Sequence, residues 1–553
     1  MTFVITQGCC NDGACVAVCP VQCIRPRPGD PDFTTAEQLY VDPATCIDCG
    51  ACLDECPVDA VHGDYDVPDH LAHYLQINAD YFADHPIEQE EAMPGRTRRR
   101  LPEDRPELRV AVVGSGPAAC YAAAELSEIK GVAVTVLDRL PTPFGLVRAG
   151  VAPDHPETRL VAERFRAVLS RRAVTCFFNV EVGRDVTVAE LAEHHHAVVW
   201  AAGADDDRRL GIPGEDLPGS VSAREFVAWY NGHPDAADAT FDLAGERVVV
   251  VGNGNVALDV ARALARPASA FATTDMADHA LAALEGSGVR EVVVAARRGP
   301  EHAAYTLPEV LALSDLEGVD LLAEPTEVMG TRLADPTRLA ERKLDVVREA
   351  ATRTPTEGHR AVSLRFLLTP VSIDGTDRVE SVTFARNVVT TTDGVVTVQP
   401  TGETETIETS LVLRAVGYRG RAVEGLPFDL HTGTIPHASG RVLDGPGGHP
   451  LAGLYCAGWI KRGATGVIGT NRVDAIETVE SLLADLAAGV LPEPSGTAED
   501  LERLVRERRP EVVDTAGWQR INAAEKQAGA AQRRPRVKLV TVEELLAASH
   551  APA

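Results

Sequence analysis

Residues 108–139, LRVAVVGSGPAACYAAAELSEIKGVAVTVLDR, read as an apolar run, a glycine turn, an alanine-rich helical stretch and a second apolar run. That order predicts a βαβ unit with a parallel sheet. Gly114-x-Gly116-x2-Ala119 stands where the first strand turns into the helix. Glycine at that turn lets backbone amides approach a pyrophosphate, and the partial positive charge of the helix N-terminus favours the anion. Asp138 ends the second strand 22 residues after Gly116, placed to accept hydrogen bonds from ribose hydroxyls. An acid at that point suits an unphosphorylated ribose, so this first site is expected to hold FAD or NAD.

A second unit of the same kind begins at Arg247 with RVVVVGNGNVALDVARAL. After a helical insert it reaches the strand REVVVAARR, which ends at Arg298. Its fingerprint, Gly252-x-Gly254-x2-Ala257, resembles the first, but its partner strand ends in Arg297 and Arg298 where the other ends in Asp138. A basic pair suits a 2′-phosphate, which selects NADPH over NADH. Two fingerprints of opposite ribose preference in one chain predict a flavin that exchanges hydride with NADPH. Between about 355 and 415 the pattern turns β-rich, and from about 498 to 549 it is helical and polar, suggesting a C-terminal brace. The run His194-His195-His196 is expected to be a solvated helix end.

Upstream of the first fingerprint lies a segment of different character. Nine of the twelve cysteines fall between Cys9 and Cys56, a clustering that points to metal rather than to disulfides. Cys46-x2-Cys49-x2-Cys52-x3-Cys56-Pro57 has the spacing in which three thiolates hold one cubane and the fourth reaches a second cluster. A zinc ribbon would instead separate two CxxC pairs by a spacer. The earlier run repeats the template with one change, Cys9-x2-Asp12-x2-Cys15-x3-Cys19-Pro20. Crossing the fourth ligands gives one site of Cys19, Cys46, Cys49 and Cys52 and another of Cys9, Cys15 and Cys56. The first suits a [4Fe-4S] cluster. The second is one thiolate short and suits a [3Fe-4S] cluster, or a [4Fe-4S] cluster completed by Asp12 or water. Cys10 and Cys23 lie outside the template, Cys10 competing with Cys9 for its place.

At 553 residues the chain exceeds one core and predicts several domains. The net charge of −28 argues against a nucleic-acid partner. The acidity is uneven, residues 1–92 holding 17 Asp and Glu against only Arg25 and Arg27. No stretch approaches the apolar length of a membrane span, so no membrane insertion is expected. The N-terminus, MTFVITQGCCNDG, has no signal-like leader, and a cytoplasmic location is expected.

The cysteine module, with YDVPDHLAHYLQINADYFADHP at 65–86, resembles the seven-iron ferredoxins of bacteria. The stretches LPTPFGLVRAGVAPDHPETR (140–159), NGNVALDVAR, ARRGP and YCAGWIKRGATGVIGTN (455–471) resemble the adrenodoxin-reductase type of ferredoxin–NADP reductase. Together the chain looks like the ferredoxin/ferredoxin–NADP reductase fusions of actinobacteria. The implied architecture is an α+β ferredoxin module followed by an α/β two-domain dinucleotide-binding flavoprotein. Its expected parts are a two-cluster ferredoxin at 1–92, a linker at 93–107, an FAD domain at 108–207 and 417–497, an NADP domain at 208–416 and a helical extension at 498–553. The resemblance places FAD against Ala119, Asp138, Leu146, Val182, Trp459, Gly466, Val467 and Ile468. It places NADP against Arg208, Asn255, Val256, Ala257, Leu258, Arg297, Arg298, Glu309 and Gly466. Asp138 replaces a more usual Glu. His155 matches a family histidine near the flavin, but the acid that partners it in some relatives is Ala312 here, and no proton-transfer role is assigned to it. The implied activity passes electrons between NADPH, FAD and the clusters, to or from a ferredoxin or another redox protein. Two other readings are a flavoprotein like the small subunit of glutamate synthase, and one whose cluster module serves only structure or docking.

Overall fold

The structure, a computed structural model, describes residues 1–87, 99–334, 336–392 and 395–551. Residues 93–98 of the expected linker, and the module boundary at 92, lie outside the described residues. Over residues 99–107 the chain runs without regular structure, Arg99 pairing with Glu125 at 2.7 Å and Glu480 at 2.9 Å.

The N-terminal module is built twice over. The strand Phe3–Ile5 pairs antiparallel with Val61–Gly63, and Ile24–Arg25 pairs with Tyr40–Val41. Each cysteine run turns into a short helix, Ala14–Val18 or Ala51–Glu55, behind a left-handed glycine, Gly13 (φ 67°) or Gly50 (φ 75°). The positive-φ residues match pairwise, Asn11 with Asp48 and Gln22 with Asp59, so both runs carry the same backbone. Alternation along Phe3–Ile5 divides two cores. Phe3 and Ile5 face the cysteine core, whereas Val4 joins Tyr74, Ile77, Tyr81 and Phe82 in an apolar cluster shared with the second fingerprint unit.

The first fingerprint unit belongs to a seven-stranded sheet in which Pro450–Cys456, Ala197–Trp200, Leu108–Val113, Val132–Asp138 and Val174–Phe178 run parallel in that spatial order. The second belongs to a six-stranded parallel sheet, Ser220–Ser222, Leu411–Arg414, Arg247–Val251, Glu291–Ala295, Arg360–Arg365 and Val319–Ala323. The chain leaves the first sheet at Asp206–Asp207 and returns at Tyr418–Arg419, and these two short strands pair with each other. The β-rich stretch forms a separate antiparallel meander, Leu368–Asp374, Ser381–Thr392 and Val395–Glu408.

Two features differ from the sequence reading. The run His194–His196 is buried, not solvated, because its helix (Val188–His194) passes directly into Ala197–Trp200 at the centre of the sheet. The His195 ring bonds the Leu191 carbonyl at 2.8 Å and Thr135 Oγ1 at 3.0 Å, and burial lowers its pKa to about 4, which keeps it neutral. The C-terminal helices are also more than a polar brace. Trp518, Ile521 and Leu545 enter the core of the first nucleotide domain, and Val513 pairs with the edge residue Phe178.

Candidate functional site

Both fingerprints make the same backbone object. Gly114 (φ 105°) and Gly252 (φ 122°) take conformations that L side chains avoid, and a Cβ on either would collide with the carbonyl of Ala201 or Ala415. Gly116 and Gly254 then start the helices Pro117–Ser127 and Asn255–Ala265. A Cβ on either of these would meet no atom within 4 Å, so there is open space over each helix N-terminus. A pyrophosphate fits such a cradle. Ala119, Ala257 and Leu258 are buried in core clusters, where they pack the two helices onto their sheets, while Asn255 is tied to Thr306 through both its Oδ1 and its Nδ2.

Asp138 lies at the strand end but turns inward. Its Oδ2 accepts from the Ser115 amide (2.8 Å) and hydroxyl (2.6 Å), and its Oδ1 from the Leu140 amide (2.9 Å). Burial raises its pKa and the Ser115 bonds oppose that shift. The shorter arm of Asp thus ties the fingerprint turn to the strand end. The loop after it folds back over the turn, the Phe144 amide donating to the Ser115 carbonyl at 3.0 Å with Phe144 itself at φ 83°. Leu146 emerges from that loop 38% exposed, next to Gly145, which packs on the Gly116 backbone, while Val182 is buried in the sheet core. Trp459 donates from Nε1 to the Thr465 carbonyl at 3.0 Å, which holds the turn leading to Gly466, Val467 and Ile468. Asp474 anchors the same segment by accepting from the Gly458 amide (2.5 Å), Lys461 (2.5 Å) and Arg462 (2.7 Å).

Arg297, Arg298 and Arg208 form no ion pair among the described residues, in a protein whose arginines mostly have carboxylate partners. Arg297 is exposed, and the Nε of Arg298 is buried without a hydrogen-bond partner. An unpaired guanidinium pair and an unmet donor are what a 2′-phosphate would satisfy.

Glu309 occupies a different setting. Its Oε2 accepts from Arg262 Nη1 at 3.0 Å and lies 3.7 Å from His155 Nε2. Arg262 is buried at the junction of the two nucleotide domains, donating from Nε to Asp154 (2.7 Å) and from Nη2 to Asp259 (2.6 Å), with the His155 ring also in contact. Burial opposes the charge on Asp154, but Arg262 and His155 outweigh it and lower its pKa to about 2. Burial raises Asp259 to about 6 against the pull of Arg262. Sequence reasoning missed Asp154, Asp259 and Arg262, and only the Asp259/Arg262 spacing of three hinted at a pair.

The cysteines form two cages. Cys19, Cys46, Cys49 and Cys52 line one cavity with Phe3, Cys23, Ile24 and Val41. Cys9, Cys15 and Cys56 line the other with Cys10, Asp12 and Leu39. Amides already point at sulfur, Leu39 at Cys9 (3.5 Å), Cys23 at Cys19 (3.4 Å) and Ala60 at Cys56 (3.3 Å). Burial pushes the Cys9 and Cys52 thiols up to about 12, so a bound cation is what would draw thiolates there. Soft donors, apolar walls and N–H···S contacts fit iron-sulfur clusters.

Residues 7–60 match the 4Fe-4S dicluster domain family, and residues 108–298 match the pyridine nucleotide-disulphide oxidoreductase family. A probable ferredoxin/ferredoxin–NADP reductase of Mycobacterium leprae is 45% identical over 99% of this chain and 98% of its own length. The chain belongs to the ferredoxin/ferredoxin–NADP reductase family. A Mycobacterium tuberculosis protein of the same description is 46% identical over 99% of the chain and 95% of its own. The solved structure of Mycobacterium tuberculosis FprA in complex with NADPH covers 80% of this chain and all of its own, at 43% identity and a TM-score of 0.77. The chain is therefore an FAD- and NADP-binding reductase with a fused ferredoxin domain, and none of its described helices is long and apolar enough to cross a membrane.

Proposed function

We propose that this reductase draws on NADPH and sends single electrons through its own ferredoxin domain to an external redox protein. The observation that carries the route is the packing of the cysteine module against the first nucleotide domain, where Cys10, Val58 and Ala60 share one apolar core with Ala118, Ala119 and Phe144. When bound, FAD supplies the conversion of a two-electron hydride into single electrons, and the clusters supply one-electron carriers.

The residues divide the labour by charge and shape. The turn at Gly114 and Gly116, with Ala119, Leu146, Trp459 and the Gly466–Ile468 segment, would hold the flavin nucleotide. The turn at Gly252 and Gly254, with Asn255 and Val256, would hold the NADP pyrophosphate, and Arg297 and Arg298 the 2′-phosphate, with Arg208 a further NADP contact. The four-thiol cage suits a [4Fe-4S] cluster. The cage of Cys9, Cys15 and Cys56 suits a [3Fe-4S] cluster, because Asp12 already has partners for both carboxylate oxygens.

Arg297→Ala combined with Arg298→Ala should raise the KM for NADPH about 100-fold or more, since each of the two charge-assisted bonds contributes about 1.5–3 kcal/mol. The KM for NADH should change little, and equal effects on both coenzymes would refute the 2′-phosphate assignment. Absorbance and EPR spectra of the anaerobic protein before and after NADPH test the route, since clusters left oxidised while the flavin bleaches would leave the ferredoxin domain with a docking role only.

A further inference from the structure

We propose that the three-thiol cage is the flavin-side station of the ferredoxin domain, and that Asp12 acts there as a docking residue clamped by Arg164 and Arg472, not as an iron ligand. This rests on the electron route proposed above.

The two cages are pseudo-symmetric, yet they face opposite ways. The loop Cys9–Asp12 sits directly on the start of the helix Thr470–Ala487. The Gly469 amide donates to the Cys10 carbonyl at 2.7 Å, and a Cβ on Gly469 would collide with the Asn11 backbone. Gly469 immediately follows the Gly466–Ile468 segment assigned to the flavin, so a single peptide separates that segment from the cage loop. The other cage turns outward, with Cys49 exposed and Ile47 (58%) and Leu53 (45%) open to solvent beside it.

Asp12 and Cys49 occupy equivalent places in the two runs, and the interface distinguishes them. Cys49 faces water. Asp12 is 5% exposed at the boundary with the reductase. Its Oδ1 accepts from the Ala14 amide at 3.0 Å, which secures the first turn of the cysteine helix. Its Oδ2 lies 3.3 Å from Arg164 Nη1 and 3.8 Å from Arg472 Nη1, and Arg472 also donates to the Asp12 carbonyl at 2.6 Å. Both arginines belong to the flavoprotein, so the carboxylate spans the module boundary. A thiolate at this position would close the cage with a fourth ligand. The carboxylate leaves it open and replaces a metal bond with an ionic contact to the reductase. Arg472 is the more sheltered partner, its side chain 16% exposed against 41% for Arg164, and is the less screened by salt. Additional pairs hold the far side of the module on the NADP domain, Glu37 with Lys343 (3.0 Å) and Asp80 with Arg342 (2.7 Å), so the clamp sets local approach and does not carry attachment alone.

The test uses the full-length protein with flavin and clusters bound, comparing wild type, Asp12→Asn, Arg164→Gln with Arg472→Gln, and the triple variant. Asparagine keeps an Oδ1 acceptor for the Ala14 amide and removes the charge. Iron content and EPR of the oxidised protein read the cluster type, stopped-flow absorbance reads flavin bleaching by NADPH, and freeze-quench EPR reads cluster reduction. The expected result is unchanged iron content and cluster signals in every variant. Flavin bleaching should match wild type, while flavin-to-cluster transfer slows at least tenfold in the arginine pair variant. The triple variant should be no slower than that pair, because the residues act through one contact. A changed cluster signal or lost iron in Asp12→Asn would make Asp12 a ligand and overturn the proposal, as would wild-type transfer rates in the arginine variant. Wild-type clusters that NADPH never reduces would instead overturn the electron route, an outcome distinct from slow transfer confined to the variants.

Discussion

Replacing Arg262 with Met tests the junction between the two nucleotide domains. Met keeps an unbranched apolar stem but removes the cation from among Asp154, Asp259 and Glu309, which it holds at 2.7, 2.6 and 3.0 Å. The Arg262 side chain is only 3% exposed, so water does not replace the lost partner. Removing one member of a buried ion pair costs about 3–5 kcal/mol, chiefly because it leaves unpaired buried charge. At about 1.4 kcal/mol per factor of ten, amide exchange in the helix Asn255–Ala265 should accelerate about 100-fold or more. Hydrogen–deuterium exchange followed by mass spectrometry reads that helix and the Asp154 segment separately. Asp259 is already raised to about 6 by burial with Arg262 in place, so it bears the largest share of the strain when the cation goes. Adding Asp259→Asn to Arg262→Met should therefore recover part of the lost protection. Exchange within threefold of wild type in the single variant would refute the reasoning, since it would mean that these carboxylates do not depend on Arg262.

The same cluster predicts a pH dependence. The folded pKa of Asp259 is about 6, against about 3.9 unfolded, so its contribution is complete below about pH 4 and is lost as pH rises through 6, about 3 kcal/mol in all. Asp154, lowered to about 2, acts at more acid pH, its contribution being full above about pH 4 and lost as pH falls through 2. Asp259→Asn should thus flatten the fall in thermal midpoint between pH 4.5 and 7, and an unchanged slope would count against the assignment. Gly114→Ala places a Cβ 2.5 Å from the Ala201 carbonyl oxygen at a positive φ. It should yield protein depleted of flavin, measured as flavin released per chain on denaturation, whereas a full complement would show that the turn can shift. Trp518→Ala opens a cavity beside Phe144, whose ring lies 5.8 Å away edge-on, and should destabilise the first nucleotide domain by about 3–5 kcal/mol. Denaturation followed by flavin release measures this, and a loss under 1 kcal/mol would restore the C-terminal helices to a peripheral brace.

Much of this protein was legible before any fold was in hand, because the decisive features are local. A glycine that must adopt φ near 105°, a helix that must start at the next glycine, and thiols that must have two or three residues between them are short-range demands, and they fall within single stretches of chain. The same holds for the strand-end difference between Asp138 and Arg297/Arg298, which is read by position alone. Burial and long-range pairing are not local. The histidine run at 194–196 looked solvated because its polarity suggests water, yet the strand that follows it lies mid-sheet and takes the rings inside. Arg262 and Asp154 are separated by more than a hundred residues, and Asp12 and Arg472 by 460, so nothing in either neighbourhood marks them as partners. Sequence alone determined two nucleotide turns and two cysteine runs, since backbone stereochemistry and ligand spacing act over a few residues. Only the tertiary structure decided that one cage faces the flavin domain and the other faces solvent, because that choice is made by surfaces meeting across the fold.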